Sequence, residues 1–115
     1  MIKRGTIVLT KFPFTDLRAY KRRPAVVISK DNKSKTDFIL AFITSVIPDN
    51  LSKTDLLLDL SHFDFKNSGL KKASLIKLDK IATINRSIIT GELGYVSLGT
   101  LKEIDKRLKI ALGLK

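Results

Sequence analysis

The sequence predicts a mainly β (α+β) fold, with five to seven short strands forming a small, strongly curved sheet or barrel and one C-terminal helix capping it. Three observations carry this. Short apolar runs rich in β-branched residues are separated by turn signals. One of them, Ala25-Val26-Val27-Ile28-Ser29, is continuous, the pattern of a strand buried on both faces. Only near the C-terminus does the apolar spacing turn helical, at Leu101, Ile104, Leu108 and Ala111/Leu112. At 115 residues the chain suits a single domain, 1–115.

Thr6 to Phe12 reads as the first strand, with Ile7 and Leu9 on one face and Val8, Thr10 and Phe12 on the other. Pro13 limits its continuation. Thr15 to Arg23 is polar, basic and long for a hairpin connection, and is expected to act as a mobile gate. Pro24 pushes Arg23 toward extended geometry and opens the second strand. Lys30 to Asp37, with Asp31-Asn32, is a turn. Phe38 to Val46 is an apolar strand, stopped by Ile47-Pro48-Asp49-Asn50. Asp55 to Leu60 is ambiguous between strand and helix; its brevity and flanking turn signals favour a strand. Ser61 to Gly69 holds one helical turn with Ser61 as a candidate N-cap. Ser74–Leu78 and Lys80–Ile84 read as two strands or one bent strand. Arg86 to Thr90 is a short piece ended by Gly91. Thr100-Leu101-Lys102-Glu103 reads as a capping box at the start of the terminal helix, and Gly113 as its end.

With 22 Lys+Arg against 11 Asp+Glu, the formal net charge is +11. A field of that sign draws nucleic acid or an anionic membrane surface. Solvated lysines alone also raise such a number, so distribution is more informative than the total. Arg18, Lys21, Arg22 and Arg23 form one cluster; Lys66, Lys71, Lys72, Lys77 and Lys80 form a second. The two are expected to line one groove. There is no cysteine, which excludes disulfides and thiolate metal sites. No apolar run reaches the roughly 20 residues of a membrane helix. The N-terminus shows no signal-peptide pattern, so a cytoplasmic location is expected, with no membrane partner.

The chemistry narrows by elimination. The single histidine, His62, is followed by Phe63 and Phe65 and reads as a packed or surface imidazole. HExxH, P-loop and GxSxG motifs are absent. The basic clusters hold few carboxylates, so neither a metal nor another cofactor is expected. What remains is phosphodiester chemistry in which the ribose 2′-OH of RNA attacks the adjacent phosphate. Such a reaction asks the protein for orientation and for cationic stabilisation of the transition state. Arginine suits this through its planar, permanently charged fork.

The residues also carry a resemblance. Arg4-Gly5, Ile7-Val8-Leu9 and Phe12-Pro13-Phe14-Thr15-Asp16 resemble the opening of the MazF/PemK family of toxin endoribonucleases. Lys21-Arg22-Arg23-Pro24 with the following apolar run resembles that family's Arg-Pro strand. Ile43-Thr44-Ser45 resembles its threonine-containing strand end, and Gly69 to Ile84 its third block. The resemblance spans essentially the whole chain. It implies an SH3-like barrel, a homodimer with single-stranded RNA bound in a groove at the interface, and a cognate acidic antitoxin that occupies the groove. It further implies cleavage of single-stranded mRNA to 2′,3′-cyclic phosphate and 5′-hydroxyl ends.

By the same resemblance Arg23 and Thr44 are the catalytic pair, one stabilising the scissile phosphate and the other hydrogen-bonding the phosphate or the 2′-OH. Arg22, Ser45, Ser74, Lys77 and Asp79 are candidate substrate contacts. Lys77-Leu78-Asp79 stands where some members carry Arg-x-Asp, and Ala82-Thr83-Ile84 where Arg-Thr-Ile is common. A lysine lacks the bidentate fork, and Ala82 can make no polar side-chain contact. Two other functions suit the same composition: a non-catalytic CcdB-like toxin that binds DNA gyrase, and a non-catalytic RNA-binding barrel.

Overall fold

The computed structural model describes residues 2–11, 22–31 and 36–115. It contains six strands: β1 (Thr6–Thr10), β2 (Arg23–Val27), β3 (Asp37–Thr44), β4 (Asp55–Leu58), β5 (Ser74–Asn85) and β6 (Ile89–Tyr95). Two helices, α1 (Phe65–Ser68) and α2 (Leu98–Leu112), and a 3-10 turn at Arg86–Ile88 complete the described elements. The strands form one sheet in the order β4-β5-β3-β2-β1-β6, and every pairing is antiparallel. Among the described residues β4 and β6 do not pair with each other, so the sheet curves without closing into a hydrogen-bonded barrel. The mainly β fold with a terminal helix is otherwise the one expected.

Both faces of the sheet are buried, which explains the unbroken apolar run of β2. Ile7, Val26, Ala41, Ile43, Ile76 and Leu78 belong to the larger core, which Leu101 and Ile104 of α2 cover. Val8, Ala25, Val27, Phe38, Leu40 and Ile84 form a second cluster. Alternate residues of one strand thus feed two cores.

Curvature comes from β5. Ala41 pairs with Ile81 but Phe42 pairs with Lys77, so β5 inserts Leu78, Asp79 and Lys80 into the ladder. Extra residues of this kind bend a strand and increase its twist. The two strand segments expected here are therefore one bent strand.

Several local expectations are corrected. Gly91 does not end the piece after Arg86; β6 runs through it to Tyr95. The single helical turn begins after Asp64, not Ser61, whose hydroxyl instead donates to Asp59 Oδ1 at 2.8 Å. Residues 100–103 are not a capping box, because α2 starts a turn earlier, after Ser97. Thr100 lies inside the helix and donates to Asp64 Oδ2 at 2.5 Å. Leu112 is exposed, so the apolar stripe of α2 ends at Leu108. The expectations for Phe12, Pro13 and the 15–23 gate, except at Arg22 and Arg23, lie outside the described residues.

Asp64 is the anchor that holds the start of α2. It is 1% exposed, and its Oδ2 accepts from the Ser97 N–H, the Ser97 hydroxyl and the Thr100 hydroxyl. Burial alone would raise its pKa. The hydrogen bonds from Thr100, Ser97 and Asn67 outweigh that and hold the carboxyl below its ordinary value. No helix among the described residues is long and apolar enough to cross a membrane.

Candidate functional site

The register of the sheet brings Arg23 and Thr44, the expected catalytic pair, together. Ala25 faces Phe42, Val26 faces Ala41 and Val27 faces Leu40 across β2 and β3. Continuing that antiparallel register two steps sets Arg23, first residue of β2, opposite Thr44, last residue of β3. On the other side of β3, Thr44 faces Leu75, so Ser45 and Ser74 lie just beyond the same ladder end. One corner of the sheet therefore collects the start of β2, the end of β3 and the start of β5.

A cleft of about 300 Å³ opens at this corner. Arg23, Thr44, Ser45 and Ser74 all line it, together with Pro24, Phe42, Val46 and Leu70. Lys71 and Lys72 complete its charged lining; no carboxylate among the described residues contributes. These two lysines belong to the second basic cluster but were absent from the expected substrate contacts. The signal that could have found them was their place immediately before a strand start.

The polar groups are arranged locally. Thr44 Oγ1 accepts the Val46 N–H at 3.1 Å, which fixes the oxygen and leaves the hydroxyl proton to donate elsewhere. Ser74 is 3% exposed and donates to the Lys72 carbonyl at 2.8 Å. Arg23 is exposed at the mouth. Arg22 is exposed beside it in sequence but does not line the cleft.

Lys77 and Asp79 are not brought into the cleft. Lys77 Nζ lies 2.8 Å from Oδ1 of Asp55, a side chain only 2% exposed, and 3.9 Å from Asp79 Oδ1. Asp55 also accepts the Ser52 N–H through Oδ2, while its backbone carbonyl accepts from Arg107 Nε. This cluster fastens β4, the bend of β5 and α2 to one another. His62 is also away from the cleft: its Nδ1 accepts the Asp64 N–H at 3.0 Å and its ring stacks on Phe63.

A larger, open groove of about 940 Å³ lies between β6, the Lys3–Thr6 turn and α2. Size does not make it the site. Its arginine, Arg4, is engaged by Asp105 and the Ile28 carbonyl, and Asp31 and Glu92 add negative charge to its lining. Among the described residues no three His, Cys, Asp or Glu side chains converge in a way that would hold a metal ion.

Comparison with known proteins gives the family and supports the fold. The family described as PemK-like, MazF-like toxin of type II toxin–antitoxin system matches residues 3–112. Endoribonuclease MazF of Staphylococcus saprophyticus is 31% identical over 117 aligned residues, covering 99% of this chain and 93% of that protein. Among solved structures, a mycobacterial endoribonuclease in complex with its cognate antitoxin superposes with a TM-score of 0.77 at 22% identity, covering 100% of this chain and 98% of the other. The MazE–MazF complex of Deinococcus radiodurans gives a TM-score of 0.74 at 20% identity, covering 99% and 97%.

Proposed function

Since this chain belongs to the PemK-like, MazF-like toxins of type II toxin–antitoxin systems, we propose that it is an endoribonuclease that cuts single-stranded mRNA in the cytoplasm without a metal ion or other cofactor. The observation that carries this reading is the meeting of Arg23 and Thr44 at one corner of the sheet, in a cleft whose described charged residues are all cations.

The chemistry follows from those groups. The ribose 2′-oxygen attacks the adjacent phosphorus and the bond to the 5′-oxygen breaks. The products are a 2′,3′-cyclic phosphate and a 5′-hydroxyl. The proton lost from the 2′-oxygen is balanced by the one gained at the 5′-oxygen, so no water is consumed. Negative charge grows on the non-bridging oxygens as the five-coordinate phosphorus forms. Arg23 meets that charge with a rigid set of N–H donors and keeps its own proton throughout. Thr44, its oxygen held by Val46, donates its hydroxyl hydrogen to the same phosphate or to the 2′-oxygen. Arg22 and Ser45 contact neighbouring parts of the strand. Ser74 shapes the wall beside them, while Lys77 and Asp79 lie outside the cleft, where Lys77 pairs with both Asp55 and Asp79 and holds the bend of β5. A homodimer would join two such clefts into a longer groove. An acidic antitoxin, complementary to a net charge of +11, would occupy it.

The test is incubation of the purified protein with single-stranded RNA of mixed sequence in EDTA. Cleavage is expected to persist, with ends that carry cyclic phosphate. Arg23→Ala and Thr44→Val are each expected to lower kcat by about 100- to 1,000-fold. Failure of the intact protein to cut any such RNA would sink the proposal and leave the gyrase-binding or non-catalytic RNA-binding readings.

A further inference from the structure

The wall of the cleft formed by Leu70 to Lys72 is built with little freedom. The chain leaves α1 through Gly69, whose φ of +72° is a left-handed conformation. A side chain there is excluded, since a Cβ would lie 2.1 Å from the Leu93 carbonyl oxygen. The next residue is tied down at once: the Leu70 N–H donates to the Ser68 hydroxyl at 3.1 Å, and that hydroxyl donates to the Phe65 carbonyl at 2.5 Å. At the other end the buried Ser74 hydroxyl holds the Lys72 carbonyl. Lys71 and Lys72 thus sit on a backbone fixed on both sides by side-chain hydrogen bonds, although both are exposed.

Among the described residues their charge is also uncommitted. The described ion pairs engage Arg4, Lys77, Lys106 and Arg107, and none involves Lys71 or Lys72. Lys77, the lysine expected to bind substrate, is neutralised by Asp55 instead. A fixed backbone carrying two ammonium groups unpaired among the described residues, in the same cleft of about 300 Å³ as Arg23, is a preorganised receptor for a polyanion.

The geometry points to Lys71 and Lys72 as the second phosphate-binding wall of the cleft: they grip a backbone phosphate next to the scissile one and set affinity, while Arg23 and Thr44 set the chemical step. This rests on the endoribonuclease reading and assigns it residues that the motif match does not. Ser74 is then a positioning residue, acting through the Lys72 carbonyl.

The experiment compares the intact protein, Lys71→Ser/Lys72→Ser, and a control, Lys102→Ser/Lys109→Ser, which removes equal charge from exposed positions of α2 outside the cleft. Binding of a non-cleavable 2′-O-methyl single-stranded RNA is titrated at several salt concentrations. Losing two phosphate contacts is expected to reduce the log–log salt slope by about 1.4, at about 0.7 per contact, with a smaller change in the control. In cleavage assays KM rises several-fold while kcat stays within about twofold, and Lys71→Arg/Lys72→Arg restores KM. A slope and KM no different from the control overturn the assignment, as does a fall in kcat with KM unchanged. If the intact protein cuts RNA, either result counts against the lysines alone. If it neither binds nor cuts RNA, the endoribonuclease reading and this assignment fail together.

Discussion

Asp64 shows how a single carboxylate can organise the end of a helix from a distance. Its Oδ2 accepts from the N–H and hydroxyl of Ser97, just before α2, and from the hydroxyl of Thr100 in its first turn, so it anchors the helix start from outside. Asp64→Ala leaves those donors without their buried acceptor and is expected to cost about 2–3 kcal/mol. The effect has a definite pH dependence. The carboxyl pKa is lower in the folded protein than in the unfolded chain, so its stabilisation is complete above the ordinary carboxyl pKa of about 3.9. It is lost as pH falls through the lower folded value. Urea midpoints of the protein and of Asp64→Ala should therefore differ most near neutrality, and the gap should narrow as pH falls below the ordinary carboxyl range. A constant gap across that pH span would refute the ionised role. The sequence offers a Thr-x-x-Glu pattern at 100–103 that imitates a capping box, whereas the real acceptor lies far upstream. Local patterns report local partners. The same limit hides the Lys77–Asp55 pair, while Arg23 and Thr44, singled out by the family resemblance, do line one cleft because each stands at a strand end.

The fit of α1 against β6 depends on two glycines. A Cβ on Gly94 would stand 2.1 Å from the Asn67 carbonyl oxygen, as one on Gly69 would from that of Leu93. Gly94→Ala must push the two elements apart and is expected to cost about 1–3 kcal/mol or more. Gly91→Ala, on the same strand with open space around its Cβ position, is expected to stay within about 0.5 kcal/mol. Thermal melts of the two variants decide this; equal losses would mean that strand propensity, not close approach, governs both glycines. The presence of β1 to β5 is readable from apolar runs and turn residues, with ends shifted by a few positions. The failure at β6 is instructive. Its pattern, Ile-Thr-Gly-Glu-Leu-Gly-Tyr, has two glycines that read as punctuation, yet the strand runs through Gly91, and Gly94 marks where the backbone of α1 passes.

Across the molecule, stability should follow the strand order. β3 and β5 pair over eight positions near the middle of the sheet, whereas β4 and β6 are its edges among the described residues. At the C-terminal end of α2, Ile110 and Leu112 are more than half exposed. Amide hydrogen exchange is expected to be slowest in β2, β3 and the paired parts of β5, and fastest in the last turn of α2 and in β4. Slow exchange throughout α2 would show that its end is held by contacts beyond those described. Curvature was expected from the number of short strands, but closure was not decided by it. Whether a sheet closes depends on register and inserted residues such as Leu78, Asp79 and Lys80, which no hydrophobic pattern encodes.

The corner that gathers Arg23, Thr44 and Ser74 also has a consequence in time. Its three walls are far apart along the chain, so no early fragment holds a cleft. During synthesis, Arg23 and Thr44 leave the ribosome well before the rim at Leu70–Lys72, and α2, whose Leu101 and Ile104 cover the main core, comes later still. Under the proposed function the nascent toxin is thus unarmed for most of its own translation and acquires its cutting edge only as folding finishes. An antitoxin that recognises the assembled cleft would bind the toxin at the moment it becomes dangerous.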